Sequence, residues 1–101
     1  MFYIYILYSS TSDKFYVGYS NNYEKRLLEH NTTDRNTYTS KHRPWLFKAV
    51  FECGVLEKEA MQIERFIKKL KSRKFLEQLI DPSFKPSGIL AQLVRVPKLR
   101  D

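Results

Sequence analysis

Tyr5, Tyr16, Arg26 and His30 lie within one stretch of the chain, with Gly18 among them, and Glu64 follows further on. These are side chains that handle protons, anions and cations. Tyrosine has an unperturbed pKa near 10, so it accepts a proton at neutral pH only where neighbouring positive charge favours its phenolate. Arginine is a fixed cation with a planar fork of donors suited to phosphate or carboxylate. Glu64 stands four residues after Ala60 and three before Ile67, at the border of an apolar helical stripe where a lone carboxylate is costly. Either it pairs with a basic side chain such as Lys68 one turn on, or it is held there to bind a cation.

The elements that must position these groups are legible nearby. Residues 2–8 and 14–19 are two runs rich in aromatic and β-branched residues, separated by the polar turn 9–13. That pattern predicts a β-hairpin with a longer-than-minimal loop. Alternation puts Tyr3, Tyr5 and Leu7 on one face of the first strand. In the second strand Tyr16, Gly18 and Ser20 share a face, so pairing can bring Tyr5 and Tyr16 onto one surface. Cross-strand aromatic packing alone would also account for the tyrosines. Gly18 argues for more, because a glycine inside a strand marks a bulge or a close approach by backbone or ligand. Asn21 fits a helix N-cap, with Glu24 completing a capping box. The helix that follows carries Tyr23, Arg26 and His30 along one side.

The polar, basic segment 32–44 reads as a solvated loop. It would also serve as a phosphate-contacting flap, through Arg35, Lys41 and Arg43, with Tyr38 as a stacking surface. Residues 45–53 read as a mostly buried third strand between Pro44 and Gly54. Leu56, Ala60, Ile63, Ile67 and Leu70 recur at three- and four-residue steps, the stripe of an amphipathic helix. Lys68, Lys69 and Lys71 belong to a basic cluster over 68–74 that suits a helix C-terminus or grips a nucleic-acid backbone. Ser72 can cap a further short helix through Ile80. The tail 81–101, broken by Pro82 and Pro86, contains an apolar pattern that can dock on the main body (1–80) as a short strand or helix.

A chain of 101 residues suffices for one core. The single Cys53 rules out an internal disulfide, and no apolar run reaches the length of a membrane span, so the expectation is a soluble cytoplasmic protein. A net charge of +7 favours an acidic partner, most often nucleic acid. Clusters of Cys and His for structural zinc, glycine-rich phosphate loops and serine nucleophile elbows are missing from the sequence.

The ordered set Tyr3-Ile4-Tyr5, Tyr16-Val17-Gly18, Arg26 and Glu29-His30-Asn31 resembles the GIY-YIG endonuclease domain over about residues 2–75, most closely its small single-domain bacterial members. Tyr3 stands where the first tripeptide has its namesake glycine. Tyr19 stands where the excision-repair relatives carry a lysine. The segment around Glu64 resembles the helix that bears the family's metal-binding glutamate.

The resemblance implies an α+β fold, with a small three-stranded, mainly antiparallel sheet and packed helices. It implies an endonuclease acting on nucleic acid, chiefly DNA, in a repair setting. By the same resemblance Tyr16 is the general base on water and Arg26 stabilises the scissile phosphate. Tyr5 positions water or Tyr16, His30 supports proton transfer, and Glu64 holds one Mg2+ or Mn2+. One carboxylate cannot fill an octahedral shell, so waters and substrate oxygens must complete it, and the ion should bind weakly without nucleic acid. The rival readings are a noncatalytic nucleic-acid-binding module of the same fold and a protein-interaction domain with an acidic partner.

Overall fold

The computed structural model describes residues 1–32 and 38–96. Strands β1 (Phe2–Ser9) and β2 (Lys14–Ser20) form the expected antiparallel hairpin. Asp13 closes its loop in the left-handed region, φ 54°, a conformation that Asp tolerates better than most residues. The Asp13 carboxylate accepts from the Tyr8 hydroxyl at 2.7 Å and pairs with Arg73 at 2.6 Å. Those partners hold it below the usual carboxylate range, Arg73 contributing most.

Helix α1 (Tyr23–Thr32) follows, and its cap differs from expectation by one residue. Asn22, not Asn21, accepts from the third helical amide, its Oδ1 lying 3.1 Å from the Lys25 nitrogen, while Ser20 Oγ holds the Asn22 amide at 2.9 Å. Two adjacent asparagines offer the same chemistry, and the length of β2 decides between them.

A short helix α2 (Tyr38–Lys41) interrupts what composition suggested was loop. Strand β3 (Leu46–Gly54) then pairs with the other edge of β1. Its register slips between Ile6 and Leu7, leaving Lys48 unmatched, so Phe47 and Val50 both reach the same face despite their odd spacing. Helix α3 (Glu57–Leu70) is buried through Ala60, Ile63 and Ile67, its middle turns. The outer members of the predicted stripe, Leu56 and Leu70, are exposed because they sit at the helix ends. Ser72 caps helix α4 (Arg73–Ile80) as expected, accepting from the Phe75 amide at 3.1 Å.

The sheet has one strand more than the three expected. The tail supplies β4 (Val94–Arg95), antiparallel to β3 at Phe51 and Glu52, giving the order β2-β1-β3-β4. Two residues are too few to show a periodicity, which is why the pattern left strand and helix open for the tail. The hydrophobic contacts divide between the two sheet faces. Ile4, Ile6, Val17 and Phe51 pack against α3, α4 and the tail residues Leu90 and Leu93. Tyr5, Leu7, Phe47 and Val50 pack with Trp45 and with Tyr23 and Leu27 of α1. Strand β2 stays at the open edge, with α1 on one side and α3 on the other.

Asn31 ties the end of α1 to the start of β3 through two backbone bonds. Its Oδ1 accepts from the Trp45 amide at 2.7 Å and its Nδ2 donates to the Trp45 carbonyl at 3.1 Å. This amide clamp pairs backbone groups much as a neighbouring strand would. It keeps the aromatic cluster beneath α1 in place.

Candidate active site

The register decides which hairpin side chains meet. Tyr5 is opposite Gly18, and Leu7 is opposite Tyr16, so Tyr5 and Tyr16 are diagonal neighbours on one face with ring centroids 6.5 Å apart. Gly18 is there for space. A β-carbon at that position would overlap the ring and hydroxyl of Tyr5, which lies across the neighbouring strand. Of the two roles a strand glycine suggests, the molecule uses close approach. Tyr5 is fully buried and hydrogen-bonded, so its ring has little room to retreat. Gly18→Ala should therefore cost about 1–3 kcal/mol of stability, the usual range for overpacking a dense site. Chemical denaturation would read this as a lower midpoint with an unchanged slope.

Tyr5, Tyr16, Gly18, Arg26 and Glu64 line one open, mainly polar cavity of about 410 Å³. The hairpin supplies the phenols, α1 the guanidinium and α3 the carboxylate. His30 stands behind this surface: it is 6% exposed, and its Nε2 lies 2.9 Å from the Tyr5 hydroxyl. Burial, helped by the nearby positive charge of Arg26, lowers the His30 pKa to about 4. Burial raises Tyr5 to about 12, although the Arg26 guanidinium acts on the same phenol in the opposite sense. The Tyr5–His30 bond thus joins two neutral groups at ordinary pH.

A histidine that stays neutral when folded has a definite effect on acid stability. Below its ordinary pKa of 6.5 the unfolded chain takes up a proton that folded His30 refuses until about pH 4. Stability should fall as pH drops from about 6.5 to about 4, by up to roughly 3 kcal/mol from this group, and then level off. Melting curves across this range should show the fall, and His30→Gln should flatten it.

The charged groups have partners of their own. Arg26 meets Glu29 at 3.3 Å, an exposed pair of small energetic weight. Glu64 meets Lys68 at 3.6 Å, and the Lys68 ammonium also lies 4.9 Å from the centre of the Tyr16 ring. Glu64 therefore adopts the ion pair that its spacing allowed, while still facing the cavity. Tyr16 packs against His30 at 5.0 Å, Trp45 at 6.1 Å and Tyr38 at 6.3 Å between centroids.

The other predicted binding residues divide. Lys68 and Lys71 flank Tyr16 on a second hollow. Lys69 and Lys41 are exposed and line neither hollow. Arg43 commits its Nε–H to the His30 carbonyl at 2.7 Å, where a cation suits the end of α1. Arg35 lies outside the described residues. The lining residues outside the predicted site set include Tyr19 and Glu57, joined by a bond from the Tyr19 hydroxyl to Glu57 Oε2 at 3.2 Å. No short-range pattern links positions 38 residues apart.

The donor set can be tested against a divalent ion. Among the described residues no group of three or more His, Cys, Asp or Glu could hold a metal. Glu64 offers one hard oxygen donor in a cavity with ample space for waters and a phosphate. That fits an ion shared with substrate and does not fit one caged by protein ligands alone.

The chain belongs to the GIY-YIG family: the family's catalytic-domain model matches residues 1–77. Membership implies a nucleic-acid endonuclease. Among its relatives is a UPF0213 protein of Bacillus licheniformis, 42% identical over 79 residues, spanning 78% of each chain. A UPF0213 protein of Bacillus halodurans, solved by solution NMR, is 30% identical and aligns with a TM-score of 0.48 over 85% of this chain and 89% of that one.

Proposed function

We propose that this protein is a metal-dependent endonuclease that hydrolyses phosphodiester bonds, with DNA as its principal substrate. The reading is carried by the shared cavity of Tyr5, Tyr16, Arg26 and Glu64, drawn from three separate elements. A phosphodiester resists attack because its anionic oxygens repel the nucleophile and its leaving alkoxide is poor. In this reading Tyr16, acting as its phenolate, takes a proton from the attacking water, and the departing oxygen leaves as an alkoxide that takes its proton from solvent. Arg26 turns from Glu29 to a non-bridging phosphate oxygen, where its charge counts most as negative charge builds. Tyr5, kept as a neutral phenol and anchored by His30, donates no proton to bulk solvent and holds the hydrogen-bond geometry at the rear of the site. Glu64, released from Lys68, would hold one Mg2+ or Mn2+, which when bound supplies charge neutralisation at the phosphoryl oxygens.

Purified protein should nick single-stranded, branched or damaged DNA in the presence of Mg2+ or Mn2+, and chelator should abolish the nicking. Parallel RNA substrates decide the sugar preference. Binding should weaken steeply with added salt, because phosphate contacts release counterions. Absence of cleavage on all these substrates with normal binding would replace the nuclease reading with a noncatalytic module.

A further inference from the structure

On the other side of Tyr16 from the candidate active site, the β2 edge opens into a second hollow of about 340 Å³. Its walls include Lys14 beside Tyr16, Lys68 and Lys71 at the end of α3, and Arg73 at the start of α4. Asp13 also lines it, but Asp13 and Arg73 pair at 2.6 Å and cancel one another. Three lysines are left to set the sign of the hollow. Among the described residues neither Lys14 nor Lys71 has a carboxylate within ion-pairing distance; Lys68 has only Glu64, 3.6 Å away. The two hollows share Tyr16 as a wall, and Lys68 links its ring to Glu64.

The backbone at Lys71 adds an independent observation. Lys71 ends α3 in the left-handed region, φ 47°, with its amide bonded to the Lys68 carbonyl. Glycine is the usual residue there, and any residue with a β-carbon costs about 1 kcal/mol more. The exposed lysine side chain makes no described bond that offsets this cost. Strain kept at the rim of a charged cavity, next to a candidate catalytic group, points to a use for the side chain.

We infer that this hollow binds the backbone phosphate next to the one being cut, so that one polynucleotide strand runs along the β2 edge with Tyr16 between the two phosphates. The inference rests on the nuclease reading above and adds a direction to it. Glu64 and Lys71 are seven helical positions apart, about 10 Å along the axis, too far for a single phosphate to satisfy both. Lys14 and Lys71 then act as point charges on the flanking phosphate, and Lys68 stands at the boundary.

The test uses Lys71→Gly, because glycine suits the left-handed backbone and keeps the fold. Its melting temperature should equal or exceed that of the unaltered protein. Its affinity for a short fluorescein-labelled single-stranded oligonucleotide in metal-free buffer should fall several-fold, and the slope of log K against log salt should become shallower. Adding Lys14→Ala, which removes the other lysine on the same phosphate, should bring the total decrease to about 0.7, the loss of one phosphate contact on a single strand. The amide resonances of Lys71 and Arg73 should shift with the oligonucleotide and not with equimolar inorganic phosphate. Equal shifts with inorganic phosphate would mark a general anion site and overturn the assignment to a polynucleotide. An unchanged slope in the double variant, with normal binding and cutting by the unaltered protein, would overturn the flanking subsite alone. Failure of the unaltered protein to bind the oligonucleotide would overturn the subsite and the nuclease reading together.

Discussion

Tyr16→Phe should lower cleavage by about 10²- to 10⁴-fold, the range for removing a general base, while leaving the fold intact. The substitution takes away one oxygen and nothing else. The ring contacts with His30, Trp45 and Tyr38 involve carbon faces and edges that phenylalanine retains. The Lys68 ammonium lies over the ring face, and that attraction survives loss of the hydroxyl. Among the described residues the Tyr16 hydroxyl has no hydrogen-bond partner, so its removal leaves no buried group unsatisfied. The melting temperature should stay within about 3 °C. Tyr5→Phe should behave differently, because it leaves the buried Nε2 of His30 without its partner and costs about 1–3 kcal/mol. Rates of oligonucleotide nicking and thermal melts of both variants separate the two phenols. Undiminished cutting by Tyr16→Phe would remove Tyr16 from the chemistry.

The contrast between these tyrosines also marks how far sequence alone could reach. Alternation allowed both to share one surface, and the glycine at position 18 signalled either a bulge or a close approach. Which ring occupies the space depends on a register that one residue of slip would reverse. Helix boundaries followed from caps whose chemistry is local, as at Ser72, and missed by one where Asn21 and Asn22 offer equal caps. Long-range pairings were opaque for a different reason. Arg43 binds the His30 carbonyl and Tyr19 binds Glu57, contacts that arise only after the hairpin, α1 and α3 have packed. Glu64 was legible as a choice between a lysine and a cation, because that choice is set by helical spacing. The geometry adds that the lysine in question also covers Tyr16.

That link makes the effect of Glu64→Gln specific. Glutamine keeps the shape of the side chain but cannot neutralise a cation, so metal-supported cleavage should drop by about 10³-fold. Metal-free binding should move the other way. The unaltered carboxylate sits in the cavity proposed to receive phosphate and offsets the charge of Lys68 at 3.6 Å. Removing its charge leaves that ammonium free to meet an anion, and affinity for oligonucleotide without metal should rise by a few-fold, most clearly at low salt. Mg2+ should then strengthen binding to the unaltered protein more than to the variant, because in the proposed reading only the former would hold the ion with substrate. Binding isotherms with and without Mg2+, beside cleavage rates, give both halves of the result. A variant that cuts normally would show that Glu64 only pairs with Lys68. One that neither cuts nor binds would instead show that the Glu64–Lys68 pair holds the cavity open.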